Sequence, residues 1–343
     1  MDVNRISGFY FHDFLEVKRL QEMYSRYNAK LEELGYFPRH FPTVGLLSDL
    51  EKEKNHLKFT PEVYVISQTD YFLKPTSEAV AYPTTYGDPS LRTPYRWYQV
   101  GPVFRNESKY CRKYERSKQI AFFHESHGIF STKEMALEEL DKVMKVVREF
   151  LDHYGIPYKI HVRPPEDTFL GAQTTYAFDT VLPSRGKVLQ TITLHDLGSN
   201  FSKAYKPGVT DFYGICWGHS QRLLGTLKAL YGGDLKWIDN PYKILTLKDL
   251  RNYNQSLKEK DRVEDLDLIR KEALRHFDSV CSEVRGGVYV CPELSDAELS
   301  LSQVSELIED KKKSLVEKIK KMHDLSGDLL NPNVYGSEYV ASE

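Results

Sequence analysis

The sequence predicts an α+β fold: a mainly antiparallel β-sheet flanked by helices over residues 1–238, then a helical appendage over residues 239–343. Three observations carry this expectation. Segments rich in β-branched and aromatic residues recur between residues 63 and 218, separated by turn-forming and charged stretches. Two amphipathic helical patterns interrupt that series, one before it and one within it. Beyond Asp239 the chain turns charged and helical, with little strand character.

The first helix is read from Leu15, Val17, Leu20, Met23, Tyr27, Leu31 and Leu34, which lay one apolar stripe along a 3.6-residue period, and Gly35 ends it. "FPRHFPTVGLL" follows and is extended at its prolines. "VYVIS" and "YFLKP" read as strands around a short turn. "YRWYQVGPVFRNES" and "KQIAFFHESHGIF" read as two strands joined by the basic loop "KYCRKYERS". The segment "STKEMALEELDKVMKVVREFLDHYG" predicts a helix with Ser131 as N-cap and Gly155 as its stop. "YKIHVRP", "TYAFDTVLP", "KVLQTITLHDL" and "YGICWG" are further strands, and "HSQRLLGTLKALYGG" is a helix closed by Gly232 and Gly233. In the C-terminal region "EKDRVEDLDLIRKEALRHFDSV" and "SLSQVSELIEDKKKSLVEKIKKMHD" are amphipathic helices, and "GGVYVC" alone resembles a strand.

Bulk properties narrow the function. With 343 residues and 41% apolar content the chain affords one large domain or two ordinary ones. A net charge of −2 excludes an overall polycation, so any RNA contact needs a local patch. The four cysteines form no CxxC pair, which argues against a disulfide framework and against a cysteine zinc site. The N-terminal stretch does not read as a signal peptide, and no apolar run reaches the roughly 18 residues of a membrane span. The expectation is a soluble, cytoplasmic protein with no membrane partner.

Four stretches carry chemistry. In "VFRNE", strand alternation puts Arg105 and Glu107 on one face. They form either a solvated ion pair or a grip for phosphate and carboxylate through the guanidinium fork. Lys109, Arg112, Lys113, Arg116 and Lys118 in the following loop suit a polyphosphate or a nucleic-acid end as well as a solvated tip. On the returning strand Phe123, Glu125 and His127 share one face, and Phe122 and His124 the other. A metal there needs a distant further ligand, His195 or Cys216; the blander alternative is a buried, hydrogen-bonded His127, and no resident metal is assigned. In "GICWGHSQRLLGTL" the glycines permit close approach of a ligand, and Arg222 falls in the first turn of a helix, where anions are favoured. There is no P-loop pattern and no well-placed dinucleotide fingerprint. Finally, "LKPTSEAV" groups Thr76, Ser77 and Glu78 directly after a proline, as a surface turn or as a loop that grips a positive charge.

These stretches together resemble the class II aminoacyl-tRNA synthetases. "VFRNE", the basic loop and the returning strand resemble motif 2 of that class, "GHSQRL" resembles motif 3, and "YFPRHFPTV" resembles motif 1 with its proline at Pro42. Within the class, "FTPEVYVIS", "LKPTSE", "GIPYKIHVRPPEDTFLGA", "YAFDTVLP" and "LHDLGSNFSKAY" are most similar to prolyl-tRNA synthetases of the archaeal and eukaryotic type, over residues 15–235. The resemblance implies a class II synthetase-type sheet and ATP-dependent activation of an amino acid, proline or a proline-like small one, with ATP and Mg2+. It implies that Arg105 binds the α-phosphate and the substrate carboxylate, Glu107 faces the adenine end, Arg116 holds the outer phosphates and Arg222 the γ-phosphate. It further implies that Ile120 packs near the adenine, that Gln190 and Thr193 line the nucleotide site, and that Thr76 and Glu78, with His127 and His195, surround the amino acid. It implies a homodimer through motif 1, and tRNA as acceptor.

The sequence departs from this pattern in three places. Residues 239–343 do not read as the family's α/β anticodon-binding domain, so tRNA, a carrier protein and a small molecule all remain open as acceptors. Ile192 stands where a glycine is usual, and is expected to narrow or reshape the pocket. Gln119 replaces a usual glutamate, and His219 is unusual in the motif 3 turn. The alternatives are a catalytically altered paralogue acting as a binding or regulatory protein, and a nucleic-acid-binding accessory subunit.

Overall fold

The computed structural model describes residues 12–57, 63–105, 120–182, 187–206, 212–238 and 240–325. The chain opens with α1 (Phe14–Glu33), capped by Asp13, whose carboxylate accepts from the Glu16 amide while Glu16 reaches back in a capping box. Met23, Tyr27 and Leu31 on its apolar stripe are fully buried. Short strands β1 (Phe37–Pro38) and β2 (Val44–Leu46), helix α2 (Leu47–Leu57), and strands β3 (Tyr64–Val65) and β4 (Tyr71–Leu73) lead into α3 (Glu78–Gly87). The long strands β5 (Tyr95–Phe104) and β6 (Ile120–Phe130) are followed by α4 (Lys133–His153), β7 (Lys159–Val162), β8 (Thr174–Leu182) and β9 (Lys187–Gly198). Then come α5 (Asn200–Tyr205), β10 (Tyr213–Ser220), α6 (Arg222–Tyr231) and α7 (Leu235–Ile238).

The main sheet has seven strands in the order β1-β5-β6-β10-β9-β8-β7. Every neighbouring pair is antiparallel except β1 with β5. Its two faces are buried against different layers. One carries Trp217, Ile215, Leu194 and Ile192 into a core with α1, α4 and α6. The other carries Trp97, Ile129 and Cys216 against α3, α5 and the three-stranded sheet β2-β4-β3. This second layer holds the pocket described below.

Helix α4 is capped by Thr132 rather than Ser131. Thr132 has the extended backbone of an N-cap and its hydroxyl accepts from the Met135 amide, whereas the Ser131 hydroxyl lies against the Met135 sulfur. Gly155 ends this helix at φ +61°, where a Cβ would stand 2.5 Å from both Tyr231 Oη and Val316 Cγ2. Tyr231 Oη donates to the Gly155 carbonyl at 2.7 Å.

The C-terminal region holds more strand than its sequence suggests. β11 (Ile244–Leu245), α8 (Leu247–Ser256), α9 (Leu266–His276), β12 (Cys281–Arg285), β13 (Val288–Cys291), β14 (Ser295–Ser300) and α10 (Leu301–Leu325) build a four-stranded sheet β11-β12-β13-β14 with three helices. "CSEVR" and "SDAELS" are too polar to announce themselves as strands; pairing with β13 makes them so. α9 is shorter than its amphipathic pattern, because Asp265 caps it and a 3-10 turn at Glu259–Asp261 precedes it. The expectation against disulfides fails at one point: Cys281 and Cys291 are bonded across the β12–β13 hairpin. A spacing of ten residues is no motif, and only the antiparallel register brings the two sulfurs together. This region rests on the first through α10, whose Ile319 joins the core of the main sheet, and through an Arg19–Asp278 ion pair at 3.4 Å.

Candidate active site

The register of four central strands assembles the pocket floor. Trp97 pairs with His127, Gln99 with Glu125, Cys216 with both His127 and His195, and Gly218 with both Glu125 and Thr193. Strand alternation aims all these residues at the second layer. Gly218 is required here: a Cβ on it would lie 2.8 Å from the His124 carbonyl oxygen.

Loop 74–78 closes one side of the pocket. Its backbone is tied to both neighbours: Lys74 N donates to Thr43 O at 2.9 Å, and Phe104 N to Lys74 O at 2.8 Å. Arg105 Nε donates to the Pro75 carbonyl at 3.1 Å. Ser77 is the buried anchor, its amide donating to Glu125 Oε1 at 3.0 Å and its hydroxyl to Glu125 Oε2. Gln99 Nε2 donates to the Ser77 hydroxyl, while Gln99 Oε1 accepts from the Phe41 amide at 3.1 Å. With Ser77 turned inward, Thr76 and Glu78 flank the pocket. Thr76 Oγ1 and Glu78 Oε2 are buried with no hydrogen bond of ordinary geometry, although Thr76 and the Cys216 thiol lie close enough to the Glu78 carboxylate to favour its charge. A buried acceptor left in that state costs roughly 1–3 kcal/mol, so a pair of them marks a place built for a donor-bearing ligand.

The histidines opposite are neutral. His127 is hydrogen-bonded through Nδ1 to Tyr82 Oη at 2.9 Å and stacks on Trp97 with ring centres 3.9 Å apart. Burial pushes its pKa down to about 4, against the opposing pull of Glu78. His195 Nδ1 lies 2.9 Å from Thr175 Oγ1, and burial lowers it likewise to about 4. Burial raises Glu125 to about 7, with the Glu78 charge adding to the effect. For Glu78 burial acts to raise the carboxyl, but His127, which holds the competing proton at low pH, and hydrogen bonds from a backbone amide, Thr76 and Cys216 outweigh it and keep it below its ordinary value. Burial lowers Lys74, opposed by the two glutamates. Burial and Glu78 together push the Cys216 thiol far up. At neutral pH the pocket therefore holds an ionised Glu78 among neutral imidazoles and a neutral thiol, with Lys74 as the buried cation that faces Glu78 and Glu125.

The outer end of the sheet supplies the cations. Arg105 follows the end of β5, and Arg222 opens α6 with its Nη1 donating to the Gln190 carbonyl at 3.4 Å. Gln190 Oε1 accepts from Arg163 Nη2 at 3.1 Å, and the same guanidinium holds Asp179 at 2.8 Å, which His161 contacts from the other side. Thr193 lies on the pocket face of β9. Glu107, Arg116 and the Ile120 side chain lie outside the described residues.

Ile192 does not narrow the pocket. It is 1% exposed and points into the opposite core, because strand alternation sets it against Thr193 and His195. His219 also sits on that far face, stacked 5.2 Å from His124. Thr76, Glu78, His127 and His195 do converge. Sequence reasoning named Ser77 and Glu125 without giving them a positioning role, and left out Gln99, which positions them, and Trp97 and Tyr82, which fix His127. Trp97 and Gln99 share the parity of Arg105 on one strand and were readable on that ground; the burial of Lys74 left no sequence signal.

Residues 63–211 match the tRNA synthetase class II core domain of the G, H, P, S and T group. This stretch is therefore similar to a class II tRNA synthetase core domain. Within that class its curated relatives are proline–tRNA ligases. The protein from Methanothermobacter thermautotrophicus is 35% identical over 211 residues, covering 57% of this chain and 44% of its own length. That from Methanocaldococcus jannaschii is 36% identical over 221 residues, covering 60% and 48%. That from Thermofilum pendens is 35% identical over 248 residues, covering 67% and 51%. The chain spans about half the length of the curated relatives it matches. Its fold is similar to that of the Cryptosporidium parvum prolyl-tRNA synthetase crystallised with halofuginone and AMPPNP, with a TM-score of 0.72 at 19% identity over 94% of this chain and 75% of that one. A match that wide runs past residue 238 into the C-terminal sheet and helices.

Proposed function

We propose that this chain activates an amino acid, proline or a small proline-like one, with ATP to form an aminoacyl adenylate, and passes the aminoacyl group to tRNA or another acceptor. The observation that carries the reading is the Thr76 hydroxyl and Glu78 carboxylate buried side by side, neither with a hydrogen bond of ordinary geometry, next to two neutral histidines. A primary or secondary ammonium nitrogen satisfies both oxygens and neutralises Glu78. The substrate carboxylate then lies toward Arg105, where ATP places its α-phosphate.

No general base is needed. A carboxylate oxygen attacks the α-phosphorus, the bond to the β-phosphate oxygen breaks, and pyrophosphate departs with the negative charge. Arg105 stabilises the charge that grows at the α-phosphate, Arg116 and Arg222 hold the outer phosphates, and Mg2+ enters with the nucleotide. Glu107, Ile120, Gln190 and Thr193 bound the base and ribose. The core domain ends near residue 238, and residues 239–343 form a separate unit. A cytoplasmic homodimer fits the same reading: Phe37, Val44 and Leu46 around Pro42 are exposed apolar residues on one short stretch.

A catalytically altered paralogue that binds without reacting is the second reading. It is favoured by Gln190, whose side-chain oxygen is already engaged by Arg163. ATP–pyrophosphate exchange over a panel of amino and imino acids, with and without total tRNA, separates the two. The adenylation reading expects exchange that depends on one amino or imino acid. Absence of exchange with every member of the panel contradicts it.

A further inference from the structure

We propose that Glu78, His127 and Cys216 form a binding site for a divalent metal ion of borderline softness, Zn2+ by its donor chemistry. Each residue comes from a different element: Glu78 opens α3, His127 lies in β6 and Cys216 in β10. One ligand atom from each lies within 4.8 Å of the other two, and among the described residues this is the group of three that does so. All are buried, at 6%, 1% and 2% exposure. No sequence motif announces the trio, and the sequence alone assigned no resident metal.

Two further features point to an ion. First, the imidazole is already oriented as in a metal site. Tyr82 engages Nδ1 and Trp97 fixes the ring plane, which leaves Nε2 as a buried nitrogen without a hydrogen-bond partner. A phenol on the remote nitrogen is the kind of outer contact that fixes the tautomer of a ligating histidine. Second, Glu78 Oε2 is likewise buried with no hydrogen bond of ordinary geometry, while the Cys216 thiol lies against the same carboxylate.

The donor set is one carboxylate oxygen, one imidazole nitrogen and one thiolate. That mixture favours Zn2+ over Mg2+ or Ca2+, which take oxygen alone. Three protein ligands leave a fourth tetrahedral position open, as in zinc sites that handle substrates. Bonds of about 2.0–2.3 Å put tetrahedral donors roughly 3.3–3.8 Å apart, so atoms within 4.8 Å of one another have to draw in by at most about 1.5 Å. The thiol proton leaves to solvent when the ion binds.

The site shares Glu78 and His127 with the amino-acid pocket of the adenylation reading, but its test needs neither nucleotide nor amino acid. If both hold, the ion takes Glu78 from the ammonium clamp, and the substrate amine binds as a free base at the open position.

Chelator-treated protein titrated with Co2+ alone tests the proposal without nucleotide or activity. The expected result is one equivalent bound, with a thiolate-to-cobalt charge-transfer band and the visible bands of a tetrahedral ion, both abolished by Zn2+. Cys216→Ser removes the charge-transfer band and Cys111→Ser keeps it, with near-UV circular dichroism confirming that each variant is folded. Tyr82→Phe weakens Co2+ binding by about 10–100-fold while leaving all three ligands in place, which keeps the test informative should Cys216→Ser misfold. Absence of a band at one equivalent in the wild-type protein overturns the proposal, and so does a band that survives Cys216→Ser.

Discussion

Tyr82 Oη lies 2.9 Å from His127 Nδ1, and this one hydrogen bond decides which ring nitrogen faces the pocket. Tyr82 also packs edge-on against Tyr86 and Phe201, so its ring belongs to the core and its hydroxyl to the site. Tyr82→Phe keeps the ring and strands His127 Nδ1 in a buried place. The expected cost is about 1–3 kcal/mol of stability, read from urea unfolding. An unchanged unfolding midpoint would show that the hydrogen bond carries no weight.

The far face of the sheet makes stability depend on pH. His124 and His219 stack there, and burial holds both far below an ordinary imidazole, His219 at about 3. Their folded pKa values lie below the unfolded value near 6.5, so the unfolded chain binds more protons in between. The stability tied to their neutral forms is complete above about pH 6.5 and is lost as the pH falls toward 3, at roughly 1.4 kcal/mol per pH unit per histidine. Both ring nitrogens of His219 lack a hydrogen-bond partner. His219→Phe is therefore expected to be neutral or stabilising at pH 7 and to flatten the slope below pH 6, as measured by urea unfolding across that range.

Arg96 secures the layer of α4 over the sheet. Its Nε and Nη2 donate to the two oxygens of the buried Glu139 carboxylate at 2.7 and 3.0 Å, and its guanidinium lies over Tyr36 and Phe130. Arg96→Ala leaves a buried carboxylate without its fork and should cost about 3–5 kcal/mol in denaturant unfolding. Arg96→Lys should recover only part of that, because an ammonium cannot reproduce the paired geometry. Full recovery by lysine would contradict the bidentate account.

Ile192→Val should lower stability by about 0.5–1.5 kcal/mol and leave ATP affinity unchanged in calorimetric titration. The side chain belongs to the core of the main sheet, so a change in nucleotide binding would contradict its placement.

The sheet was legible because its strands carry their own signals. Aromatic and β-branched runs such as "YRWYQV" and "KVLQTITLHDL" cannot satisfy their periodicity in any other element. Thr76 and Glu78 were legible as a turn after Pro75, and it was the family resemblance that suggested an amine clamp there. What the sequence hid was which face each strand buries: Ile192 looked like an obstruction, and only the alternation with Thr193 and His195 sends it away from the pocket. Cys281 and Cys291 were hidden for a related reason, since their pairing comes from register rather than from spacing. The polar strands of the C-terminal sheet were missed because pairing, not composition, makes them extended.

Adenylate formation is the central claim, and hydroxylamine trapping measures it most directly. Enzyme, ATP, Mg2+ and proline, or the amino acid selected by exchange, are mixed with hydroxylamine, which captures an activated carboxyl group as its hydroxamate. The account predicts hydroxamate and AMP in equal amounts with the wild-type chain, and neither with a folded Arg105→Ala variant. Hydroxamate formation undiminished in Arg105→Ala, or none from the wild-type chain with any amino or imino acid, would contradict it.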